Sequence, residues 1–253
     1  LYLAFMSFIA LNYFWIGIAL VIFIVLVLFK IRAPYGRHSS QKWGAVMDNK
    51  WGWVLMELPA LLTMPIIALY GNSQKTDLTY LLIGLWIFHY TYRTLIFPFK
   101  LKTNNKKMPL VIVFSAVFFN AVNGMLNGYF LGYLNTASID LFGPGIYIRL
   151  APFIYGMVLH HKSDNELISL RKRDTGYHIP QGGLFNKISC PNHFGEIIEW
   201  TGFAVIAFNI SALTFAIWTA CNLIPRALNH HAWYKESFEE YPKNRRAVIP
   251  YIL

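Results

Sequence analysis

Long apolar runs separated by short polar connections set the pattern of this chain. Residues 11–29 and 110–134 come near the roughly 20 apolar residues needed to cross a bilayer core. Shorter or more mixed runs cover residues 51–70, 79–99 and a stretch opening at Gly143-Pro144-Gly145 and continuing past His160 and Asp164 toward Leu170. The pattern predicts helices over 1–29, 51–70, 79–99, 109–134 and 145–170. A last apolar run, 197–224, is 28 residues long. As a helix it measures about 42 Å, long for one span and short for two. No repeat and no low-complexity segment interrupts the series.

Charge resolves the last run. Lys30, Arg32, Arg37, Lys42 and Lys50 fall in one connection, and Lys100, Lys102, Lys106 and Lys107 in another. A third holds Lys162, Arg171, Lys172, Arg173 and Lys187; among the intervening connections Lys75 is the exception. Alternation of this kind is the positive-inside pattern. The tail (Arg226, Lys235, Lys243, Arg245, Arg246) also belongs inside, so residues 197–224 must enter and return, with a turn near Asn209-Ile210-Ser211. The expectation is an all-α polytopic bundle of seven transmembrane helices. Its N-terminus lies outside and its C-terminus in the cytoplasm of a bacterial inner membrane or the endoplasmic reticulum. No cleavable signal is expected, because the first apolar run exceeds the length of an h-region.

Composition agrees. Of 253 residues, 56% are hydrophobic and only 13% charged, with mean hydropathy +0.41, against about 25% charged in soluble domains. The net charge of +10 is topological and does not point to nucleic acid. Cys190 sits in a basic inside connection and Cys221 in an apolar run, so no disulfide is expected. Cys190-x-x-His193 lacks a second ligand pair at zinc-site spacing, and no metal is assigned.

Two groups of polar residues carry candidate chemistry. Glu57 lies inside the second apolar run, where an acid near the bilayer centre costs about 2.5–3.5 kcal/mol unless it faces the bundle interior with a partner. It falls about 9 Å below the inner edge at 1.5 Å per residue; Tyr90, on a helix running the other way, falls about 13 Å below. Arg93 is three residues on from Tyr90, on the same face and nearer the inner surface. A protonated acid and a phenol in an apolar pocket can both donate to an oxygen that gains charge in a transition state. The structural alternative is a buried pair of Glu57 with Arg93 or His89 that locks two helices together. Asn120, Asn123 and Asn127, at i, i+3 and i+7, form a polar stripe on the fourth helix.

The second group is His160, Asp164, Arg171, Tyr177, His178, Asn192, Glu196, His230, Tyr234 and Arg245, all in or beside segments placed inside. Arginines suit phosphates, and acids suit ribose hydroxyls. The chain has no GxGxxG and no GxxxxGK[ST], and no soluble stretch long enough for a Rossmann domain, so a nucleotide must bind within the helical bundle. The stretch YHIPQGGLFNKISCPNHFGEIIEW, residues 177–200, concentrates prolines, glycines, amides and two acids, Glu196 and Glu199, just before an apolar run.

Tyr177-x-Ile179-Pro180-x-Gly182-Gly183-Leu184-Phe185, Asn192, Gly195-Glu196-Ile197-Ile198-Glu199-Trp200 and Phe238-Glu239-Glu240-Tyr241-Pro242-Lys243-x-Arg245 together resemble the steroid 5α-reductases (3-oxo-5α-steroid 4-dehydrogenases). The resemblance extends to Tyr35-Gly36-Arg37-His38, Glu57-Leu58-Pro59, His89-Tyr90-x-x-Arg93-Thr94 and Ser163-Asp164. It implies a seven-helix membrane reductase that takes hydride from NADPH and delivers it to C5 of a 3-oxo-Δ4 steroid. Glu57 and Tyr90 would bind the C3 carbonyl, Trp53 would line the substrate cavity, and Arg93 with the inner group would hold NADPH. The single membrane-embedded domain, 1–253, would then divide into substrate-side helices over 1–108 and cofactor-binding helices and loops over 109–253, working as a monomer. Three departures bear on cofactor contacts: His160 where the family often has Asn, Arg173-Asp174-Thr175 where Pro-Gly-Glu is usual, and His178 where Arg is common.

Alternatives remain open at this level. Glu57 and Tyr90 suit any enone carbonyl, including a polyprenol-derived enone or an enoyl thioester. A membrane methyltransferase would share a comparable C-terminal hairpin but would not need the two at matched depth. A transporter or passive lipid-binding protein predicts polar residues on both sides of the membrane, whereas here they gather inside.

Overall fold

The computed structural model describes residues 2–31, 43–103, 106–141, 143–173 and 176–253. The Tyr35-Gly36-Arg37-His38 motif and Asp174-Thr175 lie outside the described residues. Eight α-helices run in chain order among the described residues: α1 (Tyr2–Leu28), α2 (Asn49–Tyr70), α3 (Asp77–Thr91), the short α4 (Phe97–Lys100), α5 (Leu110–Tyr129), α6 (Pro144–Arg173), α7 (Pro191–Ala207) and α8 (Ile210–Ser237). Strand content among the described residues is limited to a pair of three-residue strands, β1 (Val46–Asp48) and β2 (Lys107–Pro109). Among the described residues, three helical stretches are long and apolar enough to cross a bilayer: Phe5–Leu28, Asn49–Tyr70 and Leu110–Leu134.

The chain forms two compact units, one of Leu1–Ile9 with Ala33–Ile146 and one of Ala10–Arg32 with Tyr147–Leu253. In the first, β1 and β2 pair antiparallel, Val46 opposite Pro109 and Asp48 opposite Lys107, and so bring together the starts of α2 and α5. Asp48 caps α2 by accepting from the Lys50 and Trp51 amides, which satisfies N–H groups a helix start leaves unpaired. α2 and α5 then pack along their lengths. The approach is close because α5 presents small residues: a Cβ on Gly128 would strike the Met64 backbone, and one on Gly124 would press on Thr63. Met56, Met108 and Val113 form a core at the β-strand end, with Trp53 packed on it.

α3 starts at a capping box built by Thr76 and Thr79. It does not run regularly to its end, because Tyr92–Ile96 forms a π-helical turn in which the Phe97 amide donates to the Tyr92 carbonyl. Pro98 supplies the cause. Lacking an N–H and carrying a ring that crowds the carbonyl four residues back, it opens the turn preceding it. Arg93 and Thr94 are buried in this turn.

In the second unit α6 and α7 come together at glycines from both sides. A Cβ on Gly156 would meet the backbone of Gly195 and Glu199, and one on Gly195 would meet that of His160. The break between α7 and α8 falls at Phe208, in the left-handed region at φ 46°, and at Asn209, whose side chain caps α8 by accepting from the Ala212 amide. The turn expected near Asn209-Ile210-Ser211 is therefore present one or two residues earlier. α8 continues past the apolar stretch through His230 and His231 to Ser237. Its core is aromatic: Trp200 stacks edge-on against Phe215, and Trp218 lies against Trp15 and donates to the Trp15 carbonyl at 3.0 Å.

The C-terminal segment is stitched onto the loop before α7. Ser189 and Cys190 amides donate to the Arg246 and Ala247 carbonyls, and the Arg246 amide donates to the Lys187 carbonyl. Cys190, Ala227, Ala247 and Val248 close a small apolar cluster beneath this junction. Both cysteines are buried.

Candidate active site

The first unit places Glu57 among three helices. Its Oε1 lies 3.5 Å from an Arg93 guanidinium nitrogen, with the two side chains 12% and 11% exposed. Oε2 accepts from Asn120 Nδ2 at 3.3 Å, and the same amide donates to the Met56 carbonyl at 2.6 Å. Arg93 lies over the Trp53 ring at 5.0 Å and the Phe97 ring at 4.7 Å, with Trp53 edge-on to Phe97. A cation lying over aromatic rings keeps its charge while losing water, which strengthens its field on Glu57. Tyr90 is buried on α3, its ring 5.0 Å from those of Trp86 and His89. Trp86 is fully buried and donates to the Ala60 carbonyl at 2.8 Å, fixing the Tyr90 turn of α3 to the Glu57 turn of α2.

Of the residues expected here, Trp53, Glu57, Tyr90 and Arg93 thus belong to one unit. Arg93, expected among the cofactor-binding residues, lies against Glu57, the pairing that the sequence also allowed. Asn120 was legible as part of a polar stripe but not as a member of the site. Asn123 and Asn127, its companions on α5, donate to the Phe119 and Asn123 carbonyls of their own helix.

The second unit gathers the other group around His160, which is 1% exposed. Its Nε2 lies 3.3 Å from Asp164 and 3.6 Å from Glu196, and its Nδ1 lies 3.2 Å from Glu199. With carboxylates at both ring nitrogens, only the imidazolium form donates to each side. Asn192 donates to the other Asp164 oxygen at 2.9 Å. Glu199, fully buried, was noted in the sequence as an acid but not as part of this set; its place one turn after Glu196 is the signal that could have found it. His193, at the start of α7, is pushed down to about 4 by burial, against the pull of the Glu196 carboxylate.

The remaining members lie further along the same unit. Arg171 stands over the Tyr177 ring at 5.8 Å, and Tyr177 is edge-on to Trp233. His178 is exposed. His230 lies against the His193 ring at 5.7 Å. Tyr234 is buried and stacks flat on Tyr241 at 5.2 Å. Arg245 is buried as well, donating to the Pro180 carbonyl at 2.9 Å and lying over the Tyr241 ring. Arg245, expected among the cofactor-binding residues, here also ties the C-terminal segment to the loop at 180. Sequence reasoning did not anticipate the neighbouring knot at Ser189, whose hydroxyl lies 2.6 Å from both His231 Nδ1 and the Tyr241 hydroxyl. Burial, with the Lys235 and Arg246 cations adding to it, pushes His231 down to about 4.

Comparison with known proteins agrees with the motifs. Residues 106–253 match the family model described as 3-oxo-5-alpha-steroid 4-dehydrogenase. The chain is 39% identical to the steroid 5-alpha-reductase DET2 of Solanum lycopersicum over 225 residues, covering 87% of this chain and 88% of that protein. It is 36% identical to the 3-oxo-5-alpha-steroid 4-dehydrogenase 1 of Bos taurus over 251 residues, covering 96% of each. A match over more than half the chain, with relatives above 30% identity along most of its length, shows that this chain belongs to the steroid 5-alpha-reductase (3-oxo-5-alpha-steroid 4-dehydrogenase) family, oxidoreductases of steroid metabolism.

Proposed function

We propose that the protein reduces the Δ4 double bond of 3-oxo-Δ4 steroids with NADPH, Glu57 and Tyr90 donating hydrogen bonds to the C3 carbonyl while hydride goes to C5. The observation that carries this reading is the Glu57 site, an acid partly buried in an apolar unit with a cation, an amide and a phenol-bearing helix turn tied to its own. Polarising an enone carbonyl draws electron density from the β-carbon, and the charge then develops on the oxygen. Glu57 and Tyr90 act by meeting that charge with O–H donors whose low-dielectric surroundings make each bond count for more than in water. Arg93, held over Trp53 and Phe97, adds a fixed positive field from one side.

The His160 group has donors and acceptors of the types a dinucleotide needs. Asp164 and Glu196 oxygens suit ribose hydroxyls, Asn192 orients Asp164, and Arg171 offers a cation beside the Tyr177 face. When bound, NADPH supplies the hydride. His178, Glu196, His230, Tyr234 and Arg245 complete the proposed binding region. The remaining parts of the reading are seven membrane spans, an outside N-terminus and a cytoplasmic C-terminus.

The test is purified protein with NADPH and a panel of enones (testosterone, progesterone, a polyprenal and an enoyl-CoA), following loss of the nicotinamide absorbance. Turnover of the steroids but not the others is expected. Turnover of the polyprenal or enoyl-CoA alone would move the substrate class, and none with any would overturn the reading. Glu57→Gln or Tyr90→Phe should abolish turnover and leave NADPH binding intact; normal turnover in either would remove its residue from the mechanism.

A further inference from the structure

We propose that residues 246–253 form an interfacial membrane anchor: Tyr251 and Ile252 enter the boundary layer of the inner leaflet, and Lys187 and Arg246 gather anionic lipid headgroups beside them. The proposal rests on the reading of α7 and α8 as a membrane hairpin whose open end lies inside, and not on the substrate.

Depth follows from the length of α7. Its 17 residues measure about 25 Å, against roughly 30 Å for a hydrocarbon core. With the turn at Phe208, 90% exposed, at the outer edge of that core, the loop before Pro191 cannot stand clear of the inner edge. Residues 246 and 247 share the depth of that loop, because main-chain bonds join the two. Ser189 and Cys190 donate to Arg246 and Ala247 at 2.8 and 3.1 Å, and Arg246 returns a bond to Lys187 at 2.9 Å.

The segment displays apolar side chains at this level. Ala247 and Val248 form its buried side, packed with Cys190 and Ala227. Beyond them the Val248 and Ile249 amides both donate to the main-chain oxygen of Leu253 at 2.7 Å, closing a tight loop. Tyr251 is held there at φ 67°, a left-handed conformation that bulky side chains rarely adopt. An aromatic and a branched aliphatic side chain thus stand next to each other in sequence, 74% and 76% exposed, on a loop fastened to the helices. Tyrosine favours the headgroup boundary, where its ring is sheltered and its hydroxyl stays wet.

Charge on these stretches has one sign. Residues 241–253 hold Lys243, Arg245 and Arg246 and no acid, and residues 177–190 hold Lys187 and no acid. Lys187 and Arg246 are exposed, and the Lys187 ammonium lies over the Tyr251 ring at 5.0 Å. A long cationic side chain against an exposed ring at the edge of the hydrocarbon matches an anionic headgroup. Two side chains offer far less than the roughly 800 Å² per partner of a standard protein interface, so a lipid surface fits better than a second protein.

The test uses the full chain in nanodiscs of equal parts phosphatidylcholine and phosphatidylglycerol, with a fluorophore on Ile252→Cys. The native cysteines are buried, and wild type treated with the same label gives the background. Lipid carrying a nitroxide at the top of its acyl chain should quench this fluorophore and aqueous iodide should not, with the reverse on Glu240→Cys. Spin-labelled phosphatidylglycerol should quench at least about twofold more than spin-labelled phosphatidylcholine. Lys187→Gln combined with Arg246→Gln should bring the two lipids to equality. Iodide quenching at 252 as strong as at 240 would overturn the proposal. So would shielding from both quenchers, the mark of a protein contact, or equal quenching by the two lipids with Lys187 and Arg246 in place. The same label on Tyr251→Cys gives a second reading of depth. A label on Leu213→Cys, 48% exposed on α8, reports the hairpin separately. Nitroxide quenching at 213 with iodide quenching at 252 would sink the anchor alone, and iodide quenching at both would sink the hairpin reading as well.

Discussion

At the scale of single residues, the same kind of side chain serves different ends according to what it touches. Arg93 and Arg245 looked alike in the sequence, cations in or near the inside segments. In the structure Arg93 faces the Glu57 carboxyl and lies over two aromatic rings, while Arg245 donates from one guanidinium nitrogen to the Pro180 carbonyl. Arg245→Met should keep the packing on Tyr241 and lose the charged hydrogen bond. It should lower stability by about 1.5–3 kcal/mol, which a thermal melt in detergent would read as a reduced midpoint; an unchanged midpoint would count against the structural role. Glu57 and Tyr90 were legible because an acid in an apolar run is conspicuous. Asn120 was visible only as one member of a stripe, since three asparagines at helical spacing look equivalent until a neighbouring helix picks one. Glu199 was passed over for a similar reason, as its burial depends on how closely α6 meets α7.

At the scale of elements, hydropathy located the helices well and their irregularities poorly. The start of α6 at Pro144 and the break before α8 are punctuation readable in glycine, proline and asparagine. The π turn at Tyr92–Ile96 is not, because a proline such as Pro98 is equally compatible with a kink or a helix end. Nor is the junction of α8, the Ser189 loop and the C-terminal segment, whose hydrogen bonds join residues more than forty positions apart. That junction should be acid-sensitive. His231 is held down to about 4 in the folded protein, below its ordinary 6.5, so between those values the unfolded chain binds more protons. Its contribution is complete above about pH 6.5 and is lost as pH falls toward 4. Melting midpoints should drop across that window and drop less in His231→Gln; equal slopes would show that His231 carries none of the effect.

At the scale of the whole molecule, charge alternation predicts a complete topology from the sequence, while three helical stretches among the described residues meet the length and apolarity of a span on their own. The gap has a physical origin. α6 carries His160 and Asp164 in its face, which lowers its hydropathy, while α3 and α7, at 15 and 17 residues, are each shorter than a full span. The proposed seven-span arrangement is open to labelling. Cysteines introduced at Ser73 and Asp140 should react with an impermeant maleimide on intact cells. Those at Lys102 and Lys187 should react only after permeabilisation, and the opposite pattern would invert the orientation. The π turn has a consequence of its own for how this family can vary in length. Deleting one residue inside an ordinary helix rotates everything beyond it by about 100°. Within 92–96 the same deletion would be absorbed, the wide turn closing to a regular one while both flanks keep their alignment. The chain would survive the loss with its scaffold intact and its Arg93 turned aside, so gaps at this place would mark descendants that kept the architecture and abandoned the chemistry.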